Sequence, residues 1–244
     1  MEILGIDVGG TGIKAAIVTV ETGALSAEKK RIPTPRPATP EAVAKVIQKI
    51  VKHFNWEGPV GCGFPTPLKH GKCMSGGNLH EDWKGVNVVE LFKNETGNEF
   101  TVVNDADAAG IAEINFGAGK DKKGLVIMIT LGTGIGSAFF LDGKLLPNTE
   151  FGHLYNRHGD SFESYAADSA RKREKLSQNK WGKRLDKYFN HINFIMSPDL
   201  IIIGGGASKR VHKFIHKIDV DIPIVPAEAE NEAGIIGAAM AAKF

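Results

Sequence analysis

Only two of the 244 residues are cysteine, Cys62 and Cys73. Two thiols make at most one bridge, not a disulfide framework, so reduced thiols are expected. Long apolar runs are missing as well. None approaches the ~18 residues that cross a bilayer, and MEILGIDVGG opens on a strand pattern without the charged, apolar and small-residue segments of a leader. A cytoplasmic protein off the membrane is expected. Charge of one sign is also scarce, with 30 Lys and Arg against 28 Asp and Glu. The balance of +2 gives no reason to expect a nucleic-acid partner. Two common phosphate signatures are absent: no G-x-x-x-x-G-K-[ST], and no G-x-G-x-x-G opening a helix. Nor is there any short-period repeat. The apolar share of 42% and charged share of 24% are those of an ordinary globular chain, which excludes disordered and fibrous classes.

What is present reads as two similar α/β halves. Ile3–Ile6 and Ile13–Val20 are apolar runs around Gly9-Gly10 and predict a hairpin. Prolines at 33, 35, 37 and 40 stiffen a connector, and Pro40-Glu41 opens an amphipathic helix to about Phe54. A strand at Val60–Phe64 precedes a Gly-, Pro- and Asn-rich loop over 65–85, long enough to suggest function. A helix is predicted over Val88–Thr96, a strand over Phe100–Val103 and a helix over Ala106–Phe116. Gly124–Phe140 then repeats the hairpin pattern about 120 residues after the first. Helices are predicted over 161–176 and 180–195, a strand over Leu200–Ile203, a helix from near Ser208, and a small-residue helix over Ala233–Ala242. The expected division is a small lobe, 1–108 joined by a returning helix at 232–244, and a large lobe, 109–231.

Three glycine turns each follow an apolar strand. In IDVGGTGIK the amides of Gly9, Gly10 and Thr11 can turn toward phosphate oxygens, with Lys14 beyond them. Asp7 is placed to hold Mg²⁺ through water, since hard cations take oxygen ligands; a plain hairpin is the alternative. LGTGIG presents Thr133 and Gly134, and IIIGGGASK presents Gly205, Gly206 and Lys209 at an expected helix N-terminus. Asp105, in NDADAAG, follows a strand and begins a helix. That position suits a helix N-cap, and equally a carboxylate that takes a hydroxyl proton during phosphoryl transfer. Glu150 and His153, three apart in EFGH, share a face of any helical turn and can grip neighbouring hydroxyls.

Together these motifs resemble the ROK sugar-kinase family, and within it the polyphosphate/ATP glucokinases, glucomannokinases among them. The likeness runs from about residue 3 to 240 and rests on five ordered motifs. It implies an actin-like ATPase, ribonuclease-H-like fold with two lobes around a cleft, and a homodimer. It also implies phosphorylation of glucose, and of mannose, at the 6-hydroxyl, with polyphosphate or ATP as donor and Mg²⁺ as cofactor. In that likeness Asp105 is the general base, and Asn78, Asn104, Glu150, His153 and Glu163 are sugar ligands. Many ROK proteins bind zinc through a histidine and a cysteine-rich segment. No cysteine follows Cys73, and His153 is separated by only ten residues from Glu163, so structural zinc is expected to be absent. Thr66 departs from the branch, which usually carries Gly there, and bears on the shape of the sugar-side loop. Trp83, in the same loop, suits either stacking on a sugar or burial.

The stretch RKREKLSQNKWGKR, Arg171–Arg184, holds one acid, Glu174. It reads as a solvated helix face, or as a path for a polyanionic donor. The competing functions are a ROK kinase for fructose, mannose or N-acetylmannosamine, a sugar-sensing ROK repressor, and an actin-like ATPase that moves. A repressor would need a helix-turn-helix ahead of the core, and a chain opening on its first core strand is expected to have none. The NDADAAG and EFGH pair argues against the third.

Overall fold

A computed structural model gives the structure of the protein and describes residues 1–229 and 232–243. Its first sheet grows from β1 (Glu2–Val8), in which an apolar run lies between Glu2 and Asp7 and Ile3, Leu4 and Ile6 are fully buried. Both faces are covered, so the run shows no polar alternation. β1 forms a hairpin with β2 (Ile13–Thr19), and β3 (Ala24–Leu25) and β4 (Lys30–Ile32) pair with the far side of β2. Helix α1 (Pro40–His53) starts on a Thr39 cap with Pro in its first turn, as the sequence predicts. β5 (Val60–Phe64) adds parallel to β1. The predicted loop over 65–85 is not structureless: it contains a small ribbon, β6 (Leu68–Lys69) with β7 (Lys72–Cys73), and a 3₁₀ turn at Glu81–Trp83. Helix α2 (Val88–Thr96) ends on left-handed Gly97, and β8 (Phe100–Asn104) extends the sheet parallel to β5. Helix α3 (Asp105–Phe116) follows directly.

The second sheet repeats the plan. β9 (Leu125–Leu131) and β10 (Ile135–Leu141) form a hairpin, extended by β11 (Lys144–Leu146). On the other side β12 (Leu200–Gly204) runs parallel to β9, and β13 (Ile224–Pro226) parallel to β12. The helix expected over 161–176 is two: α4 (Phe162–Ala166) and α5 (Asp168–Arg173). Between them Ala167 is extended, with ψ 159°. The break lets the start of α5 bond the second glycine turn, where Ser169 donates its amide to the Gly132 carbonyl and its Oγ to the Thr133 carbonyl at 2.6 Å. Helix α6 (Gln178–Met196) buries Trp181, Leu185, Tyr188 and Phe189. Beyond β12 the expected helix is a 3₁₀ stretch, Gly205–Lys213. Its buried Ala207 and Val211, with Phe214 just after it, are spaced by four and three, which suits either helix type, and two glycines at its start supply little α-propensity.

Helix α7 (Ala233–Ala241) is apolar nearly all round and belongs to the first sheet, packing on β1 and β5. It lies backbone to backbone there. A Cβ on Gly61 of β5 would strike the Ala238 carbonyl, and one on Gly237 of α7 the Ala108 carbonyl of α3. The chain divides into two compact units, Met1–Ala112 with the α7 segment, and the stretch from Glu113 onward. The division falls within α3, at Ala112 rather than residue 108. The expected boundary at 231 and end at 244 lie outside the described residues. Each unit has its own core, around Ile6, Ile47, Phe64 and Trp83 in the first and Ile129, Phe139, Phe189 and Ile203 in the second.

Candidate active site

In the first unit the hairpin register sets Asp7 opposite Lys14, with Lys14 Nζ 3.6 Å from the Asp7 carboxylate. Burial pushes the Asp7 carboxyl above the usual carboxylate range, and Lys14 pulls part of the way back. The turn between them is closed by Gly9 N–H donating to Gly12 O at 3.1 Å, and Thr34 Oγ1 donates to Gly9 O at 2.5 Å. Gly10 and Thr11 are exposed at its tip. Sequence reasoning missed Arg31. It pairs with Lys14 across β2 and β4, and its guanidinium donates to Thr11 O at 3.2 Å. Like charges side by side disfavour each other unless an anion joins them. The register of β4 is non-local, so no spacing in the sequence signals Arg31.

The sugar-side loop reaches the same turn: a Cβ on Gly10 would stand 3.5 Å from Asn78 O. Thr66 is buried and closes the base of that loop, with Oγ1 2.8 Å from Ser75 Oγ. Trp83 is fully buried and donates Nε1–H to Ala38 O at 2.9 Å, which settles its alternatives as core. At the β8–α3 junction, Asn104 is buried and accepts from the amides of Ala106 at 2.9 Å and Asp107 at 3.4 Å. Asn104 therefore caps α3. Asp105 is exposed, and its Oδ1 shares the Ala106 amide at 2.7 Å.

In the second unit Ser137 on β10 draws in the next segment, donating Oγ–H to Thr149 O at 2.6 Å and accepting from Phe151 N–H at 2.9 Å. That positions a 3₁₀ turn, Phe151–His153, with Glu150 before it. Glu150 Oε2 and His153 Nε2 are 3.8 Å apart, the shared face that their spacing predicts. Burial pushes the Glu150 carboxyl up; His153 opposes this and nearby Glu163 adds to it. Glu163 on α4 accepts from the Ile135 amide at 2.8 Å, and its carboxylate lies where a side chain on Gly134 would be. Glu163 thus sits against the second glycine turn, where Thr133 is exposed, and within electrostatic reach of Glu150. In the third turn Gly205, Gly206 and Lys209 are exposed, on a 3₁₀ stretch rather than at an α-helix N-terminus.

The basic segment is neither a plain solvated face nor an open run of cations. Asp168, 3% exposed, holds Arg171 at 2.7 Å, Lys172 at 3.0 Å and Arg210 at 3.1 Å. Arg210 follows the third turn and Asp168 adjoins Ser169, so one carboxylate links the second and third turns. Arg173 and Arg184 both pair with Glu174, and Arg184 also lies over the Tyr165 ring. Lys175, Lys180 and Lys183 are exposed and have no carboxylate partner among the described residues. Cys62 and Cys73 are buried and free, their thiols pushed up by desolvation. Among the described residues no group of three His, Cys, Asp or Glu side chains is arranged to hold a metal ion, and no helix is long and apolar enough to cross a membrane.

Two mixed sheets built on one plan, each opening with a glycine-turned hairpin and continuing in parallel strands, are the plan of the actin-like ATPase fold. A ROK-family glucokinase from Streptomyces griseus, solved with glucose and AMPPNP, shares it at TM-score 0.85 and 22% identity over 100% of this chain and 99% of that one. The chain belongs to the ROK family, whose sequence profile matches residues 3–163. The polyphosphate glucokinase of Mycobacterium tuberculosis is 44% identical over 238 residues, 97% of this chain and 89% of that protein. The polyphosphate/ATP-glucomannokinase of an Arthrobacter strain superposes at TM-score 0.92 with 45% identity, covering 98% of this chain and 97% of that one.

Proposed function

We propose that the protein phosphorylates glucose at its 6-hydroxyl, with polyphosphate or ATP as donor. The observation that carries this is the division of labour at the β8–α3 junction, in a chain 44% identical to a polyphosphate glucokinase. Asn104 caps the helix from a buried position, and this leaves Asp105 exposed at its first turn. A carboxylate there accepts the hydroxyl proton as the oxygen attacks the terminal phosphorus and the bond to the shortened donor breaks. With its Oδ1 engaged, Asn104 offers Nδ2–H to a sugar hydroxyl, and Asn78, beside the first glycine turn, binds another. Glu150, His153 and Glu163 accept or donate to the other hydroxyls. The Gly9 amide, expected to turn toward phosphate, is spent on Gly12 O; the amides of Gly10, Thr11, Thr133, Gly134, Gly205 and Gly206 meet the donor phosphates, with Lys14 and Lys209 supplying positive charge.

Asp7 suits Mg²⁺, because a single oxygen donor beside a phosphate turn matches an ion that is held chiefly by water and substrate phosphates. When bound, Mg²⁺ supplies charge neutralisation at the donor. Structural zinc is absent in this reading, which elemental analysis checks. The same reading makes the protein a cytoplasmic homodimer with no nucleic-acid or membrane partner. Exposed Phe194 and Ile195, adjacent on α6, are apolar surface that an interface would cover, and equilibrium sedimentation checks the dimer. The function is tested by transfer from ATP and from polyphosphate over a panel of glucose, mannose, fructose and N-acetylmannosamine. Glucose is expected to give the highest kcat/KM, and Asp105→Ala to lower kcat at least ~100-fold with its melting temperature unchanged. A folded variant with near-normal turnover would remove Asp105 from the mechanism.

A further inference from the structure

Tyr188, on α6, is fully buried, and its hydroxyl has no hydrogen-bond partner among the described residues. The ring packs on Phe162 at 5.0 Å and on Phe189 at 5.6 Å, contacts that phenylalanine would make equally well. Phe162 is the residue before Glu163 on α4, and α4 packs directly on α6. A buried O–H without a partner is a cost that the core gains nothing from. Such a group in a native protein calls for an account outside packing.

We infer that Tyr188 is a positioning residue for sugar binding, its hydroxyl holding the Glu163 carboxylate from behind through one ordered water. Glu163 Oε2 is taken by the Ile135 amide, so Oε1 is the atom left to be oriented. Glu163 and Glu150 both lie within electrostatic reach of the phenol and, after burial itself, push its pKa further up. Tyr188 is therefore a neutral donor on the helix that packs against α4, and a water between its hydroxyl and Glu163 would have the polar partners that a buried water needs. Tyr188 does not touch the sugar. It fixes the rotamer of the side chain that does, and it shares its ring contact with the helix that carries that side chain.

This inference rests on the sugar-kinase reading, and the experiment separates the two. Wild-type turnover of glucose is measured first; its absence would remove the function and this role with it. In Tyr188→Phe, the glucose KM is expected to rise roughly three- to tenfold. The donor KM should stay constant, and the melting temperature should hold or rise because the orphan hydroxyl has gone. In a Glu163→Gln background, the same substitution should change the glucose KM by less than twofold, because the group it positions is already altered. An unchanged glucose KM in Tyr188→Phe overturns the inference. So does a parallel rise in both Michaelis constants with a lowered melting temperature, or an undiminished effect in the Glu163→Gln background.

Discussion

Glu150 and Asp7 are carboxylates whose ionisation is disfavoured by burial, against the pull of His153 on the first and of Lys14 on the second. For each the folded pKa is raised above its unfolded value. The associated stability is present in full below the unfolded pKa and is lost as pH rises through the folded pKa. At neutral pH the charge therefore works against the fold, as expected of carboxylates kept for the binding roles proposed above. Glu150→Gln is expected to raise the melting temperature by about 1–3 °C at pH 7 and to have little effect near pH 4. Glucose kcat/KM should fall by at least about tenfold, since a hydroxyl loses a charged partner. A thermal scan at the two pH values beside a kinetic assay reads both, and a lowered melting temperature at pH 7 would contradict the account. The sequence leaves the cap of α3 open between neighbours, and Asn104 takes it while Asp105 stays exposed. Either side chain suits a cap, and only the fold decides which one turns inward.

The interruption at Ala167 shows what short helices do here that one long helix would not. It turns α5 so that its first residues clasp the second glycine turn, and Asp168 gathers Arg171, Lys172 and Arg210 around a nearly buried carboxylate. Burial alone would raise the Asp168 pKa, but the three cations outweigh it and hold the pKa low. Its stabilisation is therefore present above the unfolded pKa and is lost as pH falls through the folded one. Asp168→Asn leaves Arg171 and Arg210 partly buried without their acid and should cost about 3 kcal/mol in urea unfolding at pH 7, with the penalty vanishing toward pH 3. An equal penalty at both pH values would mean packing, not charge, is lost. The sequence conveys most of the elements because strands and their glycine turns are local: β1–β2, β9–β10 and α1 lie within a residue or two of where pattern and caps put them. What it conceals is set from far away. The Ala167 break answers to Gly132 and Thr133, the placement of Arg31 depends on the β2–β4 register, and the 3₁₀ form of Gly205–Lys213 is not visible in spacings of three and four. The motifs named the candidate residues. They could not tell that Glu163 is engaged with Ile135, or that a tyrosine 25 positions further on packs against Phe162 beside it.

Across the whole molecule the net charge is small, so attraction of a polyanion depends on which cations remain without an acid. Those in the basic segment are Lys175, Lys180 and Lys183. Reversing all three to Glu should raise the KM for long polyphosphate several-fold and leave that for ATP unchanged. The slope of log affinity for polyphosphate against log salt should become shallower by about 2, roughly 0.7 for each lost contact. Matched changes for both donors would make the segment mere surface. Charge reversal at Arg171 or Arg184 would not test this, since both are anchored in the fold. The packing of α7 against Gly5 and Gly61 matters at another moment in the life of the protein. During synthesis, β1 and β5 leave the ribosome long before residues 233–241 exist, so the face they present to that helix stays bare while the entire second unit is made. The second unit, contiguous in the chain, can mature on the ribosome, whereas the first must wait for its missing helix. The half that is written first is the half that is finished last.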